Sequence, residues 1–165
     1  MPTDAPRYAL EALFGTQAAE LINHIPHCKR LGMEVVHVGP REATVKLPYR
    51  EELIGDPVRK VVFGGVITTL LDHASGLAVF CSLPELTAIA TLDLRIDYLR
   101  AAEPGCDLVG RAECYKLGAQ VAFVRGSAWD RSRDDPFASV HATMMIGANA
   151  SVSPVARAVR ERSGT

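Results

Sequence analysis

The chain has 165 residues, 48% hydrophobic and 22% charged, with 18 basic and 19 acidic side chains and a formal net charge of −1. That is enough apolar material for one domain with one core and too little for two. The near-neutral balance excludes the basic stripe of a nucleic-acid binder, and 13 Gly and 10 Pro exclude a fibrous or disordered composition. No stretch reaches the ~18 uninterrupted apolar residues of a membrane-spanning helix. The longest, Val61 to Leu71, contains two glycines and two threonines and stops at Asp72. The opening Met-Pro-Thr-Asp-Ala-Pro-Arg lacks the basic-then-apolar order of a secretory signal, so a cytoplasmic setting with no membrane partner is expected.

In chain order, Tyr8 to Ile25 has the periodicity of an apolar-faced helix: Leu10, Leu13, Phe14, Ala18, Leu21 and Ile22 recur at steps of three and four. Pro26 is expected to end it. His24, His27 and Cys28 follow closely, but with Pro26 breaking the register between them they are not read as a metal site. The other cysteines, at 81, 106 and 114, form no Cys-x-x-Cys pair, so reduced thiols are expected. Met33 to His37 and Ala43 to Leu47 read as a hairpin around Gly39-Pro40. Residues 48 to 62 read as a long, charged connection of the kind that often carries function.

Gly64 to Cys81 reads as the longest core helix, with Val66, Leu70, Ala74, Leu77, Ala78 and Cys81 on one face. After Pro84 the period becomes two. Positions 90, 92, 94, 96 and 98 are Ala, Leu, Leu, Ile and Tyr, while 91, 93, 95 and 97 are Thr, Asp, Arg and Asp, so the even residues should be covered and the odd ones wet. Three further strands are expected over 106 to 117, 120 to 130 and 137 to 147, with a polar tail over 149 to 165. Helix, hairpin, loop, buried helix and four long strands make an α+β domain in which an antiparallel sheet wraps one helix. Such long apolar strands leave edges that usually pair with a second copy.

Chemistry gathers at the central helix. Phe63-Gly64-Gly65 is either a plain loop-to-helix turn or a site where free first-turn amides, positive by the helix dipole, hold an anion or developing oxyanion. Asp72 lies two turns further, on a stripe of small and polar residues that includes Gly65, Thr68, Thr69, Ser75 and Gly76. It is either part of a solvated face or a carboxylate with room for a ligand. His73 points about 100° away from Asp72, which argues against a dyad.

The runs Gly-Gly-Val-Ile-Thr-Thr-Leu-Leu-Asp-His-Ala-Ser-Gly-Leu-Ala at 64–78 and Ala-Thr-Leu-Asp-Leu-Arg-Ile-Asp-Tyr-Leu-Arg at 90–100 resemble the hotdog-fold acyl-CoA thioesterases. The nearest group is the one that includes phenylacetyl-CoA thioesterases, and the likeness runs from about Cys28 to Gly147. The resemblance implies a hotdog domain over 28–148 after an N-terminal helical segment at 1–27 and before a tail at 149–165. It implies a homodimer, often a dimer of dimers, acting on an acyl-CoA without cofactor or metal. The helix-start amides of Gly64 and Gly65 would polarise the thioester carbonyl. Asp72, nine residues after Phe63, would act as base or nucleophile, and Thr91 would help position water. Gly64 and Asp72 of one site would come from different chains. Phe63, Asp56, Thr68, Thr69 and Ser75 would contact substrate, and Arg59, Lys60, Arg100 and Lys116 are candidates for the coenzyme A phosphates. Two positions depart from the family pattern: Phe63 replaces a histidine, and Asp56-Pro57 stands near a usual loop asparagine. A non-catalytic acyl-CoA-binding protein and a hotdog hydratase or dehydratase are the competing expectations.

Overall fold

The computed structural model describes Tyr8 and residues 25–85 and 87–147. The helix expected over Tyr8–Ile25 lies, apart from its two end residues, outside the described residues, and so does the tail at 149–165. Pro26 opens a helix. It sits in the first turn of α1 (Pro26–Leu31), where a missing N–H costs nothing. Gly32, at φ 72°, caps the helix by donating its N–H to the Lys29 carbonyl at 3.1 Å. His27 and Cys28 therefore share a helical register, His27 exposed and Cys28 in the core. All four cysteines are free thiols.

β1 (Glu34–Gly39) and β2 (Glu42–Leu47) form the expected hairpin. Pro40 and Arg41 make its turn, and Arg41 takes a positive φ of 66°, as the third residue of a Pro-led turn of this kind requires. The turn is sewn to its surroundings: Arg41 Nε donates to the Cys114 carbonyl at 2.8 Å, and Cys114 N–H donates back to Arg41 at 2.8 Å.

Residues 48 to 62 are more ordered than a plain loop. A short 3₁₀ turn (Glu51–Leu53) leads into a small hairpin, β3 (Ile54–Asp56) with β4 (Val61–Val62). The central helix α2 (Gly64–Phe80) follows, then β5 (Ile89–Tyr98), β6 (Leu108–Leu117), β7 (Val121–Trp129) and β8 (Ala138–Ile146). The main sheet is antiparallel throughout, in the order β1-β2-β6-β7-β8-β5, so β5 crosses over to pair with β8 at the edge opposite β1.

α2 lies across the inner face of this sheet. Leu70, Leu71, Ala74 and Ala78 are fully buried against Val45, Leu108, Ala112, Val124 and Val140. Small residues in the sheet let the helix approach closely: a Cβ on Gly110 would lie 3.1 Å from Leu70 Cγ. The buried face is wider than the periodicity suggested. Ile67 and Ser75 are buried, while Val66 is only half-buried.

The alternation along β5 is broken. Cross-strand partners share a face, and Thr91 pairs with Met144, which is buried, whereas Asp93 pairs with Thr143 on the outer face. A bulge at Leu92 separates the two pairs. Ile89 and Thr91 therefore face inward before the bulge, and Leu94, Ile96 and Tyr98 after it. The expectation that all even positions are covered fails at Ala90, which faces outward, at Leu92, which is 54% exposed, and at Tyr98, which faces α2 but stays 51% exposed.

Candidate active site

At the start of α2, the Phe63 carbonyl accepts the N–H groups of Val66 (3.0 Å) and Ile67 (3.4 Å). The amides of Gly64 and Gly65 come before Val66, the first intrahelical donor, and have no intrahelical partner. Phe63 is 59% exposed, and its ring lies over Gly65, where a Cβ would meet ring carbons. Thr68 and Thr69 donate their hydroxyls back to the carbonyls of Gly64 (3.1 Å) and Gly65 (3.0 Å).

Asp72 lies seven residues past Gly65, about 10 Å along the helix axis. Its Oδ1 accepts a hydrogen bond of 2.9 Å from the Thr91 hydroxyl, which the bulge in β5 has turned toward the helix. The pair stands at the rim of an open pocket of about 170 Å³, whose walls include Leu77, Phe80, Ile89 and Met144. His73 also lines it. Burial draws the His73 imidazole down to about 4, so it is neutral near pH 7. Asp72 and His73 share the pocket without a hydrogen bond between them. Cys28 reports the same carboxylate: burial first, and then the charge of Asp72, push its thiol up to about 11. It stays protonated and is a poor nucleophile.

Other expected site residues fall elsewhere. Ser75 is fully buried on the core face of α2 and cannot meet a ligand at the pocket rim. Arg100 is tied down by the Asp130 carboxylate at 2.7 and 2.8 Å and by the Asp135 carbonyl at 2.7 Å, which leaves little of it for a phosphate. Asp56 holds the β3–β4 turn: its Oδ1 accepts the N–H groups of Val58 and Arg59, and its Oδ2 takes Arg59 Nε at 2.6 Å. These bonds, the Arg59 backbone N–H first, hold its carboxyl below the usual range. Lys60, in the same turn at φ 58°, lies 3.6 Å from Glu51. Lys116 sits over the Phe123 ring, near the hairpin turn that Cys114 binds at the other end of α2. Arg59 and Lys60 share the β3–β4 turn, while Lys116 lies at the opposite end of α2.

The Thioesterase superfamily sequence model matches residues 59–136, a span that takes in the glycine turn, Asp72 and Thr91. A solved protein from Pseudomonas aeruginosa is 41% identical, with a TM-score of 0.70 over 78% of this chain and 95% of its own. The chain belongs to the thioesterase superfamily. Its hotdog architecture is the one observed, an antiparallel sheet wrapped around α2. The medium/long-chain acyl-CoA thioesterase YigI of Escherichia coli K12 is 28% identical over 153 residues, 82% of this chain and 97% of that protein. A candidate esterase of Halobacterium salinarum is 38% identical over 94 residues, which are 55% of this chain and only 61% of that relative's length. Among the described residues of this superfamily member, no helix is long and apolar enough to cross a membrane.

Sequence reasoning singled out Asp72, Thr91, Gly64 and Gly65 but passed over Cys28, Tyr98 and the pocket-lining role of His73. Cys28 and Tyr98 approach α2 from distant elements, so no local pattern marks them.

Proposed function

We propose that the protein hydrolyses acyl-CoA thioesters to the free acid and coenzyme A. The observation that carries this reading is the Asp72–Thr91 pair: a carboxylate held by one hydroxyl beside an apolar pocket. Water attacks the thioester carbonyl, Asp72 takes the water proton, and Thr91 orients the pair. The carbonyl oxygen becomes an oxyanion, which the amides of Gly64 or Gly65 stabilise. The C–S bond then breaks, and the departing thiolate recovers the proton. Direct attack by Asp72, through an anhydride that water opens, uses the same residues.

A helix rise of about 10 Å between Gly65 and Asp72 is too long for both to reach one carbonyl carbon and its oxygen. The reading therefore includes a homodimer in which the glycine turn of one copy faces Asp72 of the other. The exposed β5 edge, with Leu92, Tyr98 and Leu99, supports it. The apolar pocket walls, and the medium/long-chain substrates in YigI's name, support an acyl group of more than a few carbons.

Free-thiol release over short, medium, long and aromatic acyl-CoAs tests the activity. Saturable binding without thiol release across that series leaves a binding protein and defeats the reading. Light scattering tests the assembly: a clean 17.8 kDa monomer at micromolar concentration removes the shared site.

A further inference from the structure

Tyr98, at the end of β5, reaches inward to α2, and its hydroxyl donates to the Gly64 carbonyl at 3.0 Å. Thr68, one turn into the helix, donates its hydroxyl to the same oxygen at 3.1 Å. The Gly64 carbonyl and the Gly65 N–H are the two ends of one peptide unit, planar and conjugated. Donors on its oxygen draw density away from nitrogen and make the N–H more positive, the chain-wise polarisation known from hydrogen-bond networks. The neighbouring Gly65 carbonyl, by contrast, receives a single side-chain hydroxyl, from Thr69. Glycine at 64 leaves room for this approach, since a Cβ there would lie 3.3 Å from the Tyr98 hydroxyl oxygen. The Tyr98 side chain is 51% exposed, so filling the core does not account for its position.

We propose that Tyr98 is a positioning residue for hydrolysis, which sets the tilt of the 64–65 peptide and strengthens the Gly65 N–H as the donor to the oxyanion. Thr68 acts on the same oxygen to a smaller degree. The proposal rests on the reading of the Gly65 amide as an oxyanion donor.

Tyr98→Phe removes one hydroxyl and no ring. In the full-length protein it should lower kcat about three- to tenfold and leave KM within about twofold, as expected for an effect confined to the transition state. In amide NMR spectra the Gly65 proton should move upfield, while amides beyond the first turn of α2 stay in place. An unmoved Gly65 proton or an unchanged kcat overturns the proposal. Gly65→Pro removes the amide within the first helical turn, where no intrahelical bond is lost, provided the exposed Phe63 ring swings away from the new Cβ. If folded Gly65→Pro keeps wild-type turnover, the Gly65 amide is not the oxyanion donor, and the role of Tyr98 falls while the Gly64 amide keeps that of donor. If it loses turnover and Tyr98→Phe still costs its full factor in that background, the oxyanion reading stands and Tyr98 acts elsewhere. Loss of the Tyr98 effect in the proline background supports the proposal. Should Gly65→Pro not fold, the NMR shift and kcat of Tyr98→Phe decide, with Thr68→Val expected to move both in the same direction by less.

Discussion

Asp72 and Asp130 divide two tasks that carboxylates perform. Asp130, just past β7, has a side chain 1% exposed. It accepts both terminal nitrogens of Arg100 and the backbone N–H groups of Glu103 and Arg131, at 2.7 to 2.8 Å. The Arg100 hydrogen bonds, ahead of the backbone ones, hold its carboxyl far below the usual range. Asp72 has one side-chain partner, Thr91, and otherwise faces an apolar pocket. Filled lone pairs commit a carboxylate to holding the fold. Open ones leave it free to take a proton.

Asp72→Asn is the sharpest way to break this contrast. The change keeps size and one acceptor but removes the base. Turnover should fall by about 10²–10⁴-fold, mostly in kcat, with assembly state and melting temperature little altered. Wild-type hydrolysis by folded Asp72→Asn would make Asp72 a surface residue like many others.

Asp130→Ala should do the reverse. It strands Arg100, and the cost should be about 3 kcal/mol, the low end for a broken buried pair because Arg100 keeps Asp135 and some solvent. Urea unfolding measures it, and kcat per folded molecule should stay near the wild-type value. The acid profile extends the test. A carboxyl whose folded pKa is depressed contributes stability above its unfolded pKa, near 3.9, and loses it as pH falls further. The Asp130 contribution should therefore fade only below about pH 4. His73, drawn down to about 4 by burial, acts in an earlier window: below its unfolded pKa near 6.5 the unfolded chain binds the proton first, so stability falls from there toward pH 4. A wild-type loss between pH 6.5 and 4 that persists in Asp130→Ala belongs to His73. One that vanishes in Asp130→Ala contradicts the assignment.

Thr91→Ala sharpens the comparison from the other side, by leaving Asp72 with no side-chain partner. Turnover should drop only about three- to tenfold, since one exposed hydrogen bond to the carboxylate is at stake and water can replace it. A loss as large as that of Asp72→Asn would make the hydroxyl a reacting group instead of an orienting one.

Much of this was legible from local pattern. Leu70, Ala74, Leu77 and Ala78 recur at helical spacing, and Phe63-Gly64-Gly65 marks where that period begins, so helix and turn followed directly. What escaped depends on contacts between distant segments. Arg100 looked available because Asp130 lies thirty residues away. Ser75 looked like part of the polar stripe because helical spacing cannot say how wide the buried face is. Asp56 looks like a substrate contact because it stands near the loop asparagine of the family, and nothing local shows that its oxygens are taken by Val58 and Arg59 of its own turn. The β5 pattern was read as strict alternation because the bulge leaves no mark in a run of alternating polarity. That reading would have put Thr91 on the solvent face, away from the carboxylate it binds.

The bulge at Leu92 makes β5 a strand with two parities, odd residues inward at one end and even residues inward at the other. Thr91 and Tyr98 have opposite parity, yet both reach α2, one at its middle and one at its start. A regular strand could offer only one of them. The geometry of the site therefore depends on the bulge absorbing one residue, not on which side chain stands at position 92. Removing that single residue would place Thr91 and Tyr98 six apart on one parity, both still inward opposite Met144 and Ala138, whereas a regular strand that kept it would turn one of the two hydroxyls outward. Among relatives, a separation of seven between these two contacts should go with a bulge and a separation of six with an unbroken strand.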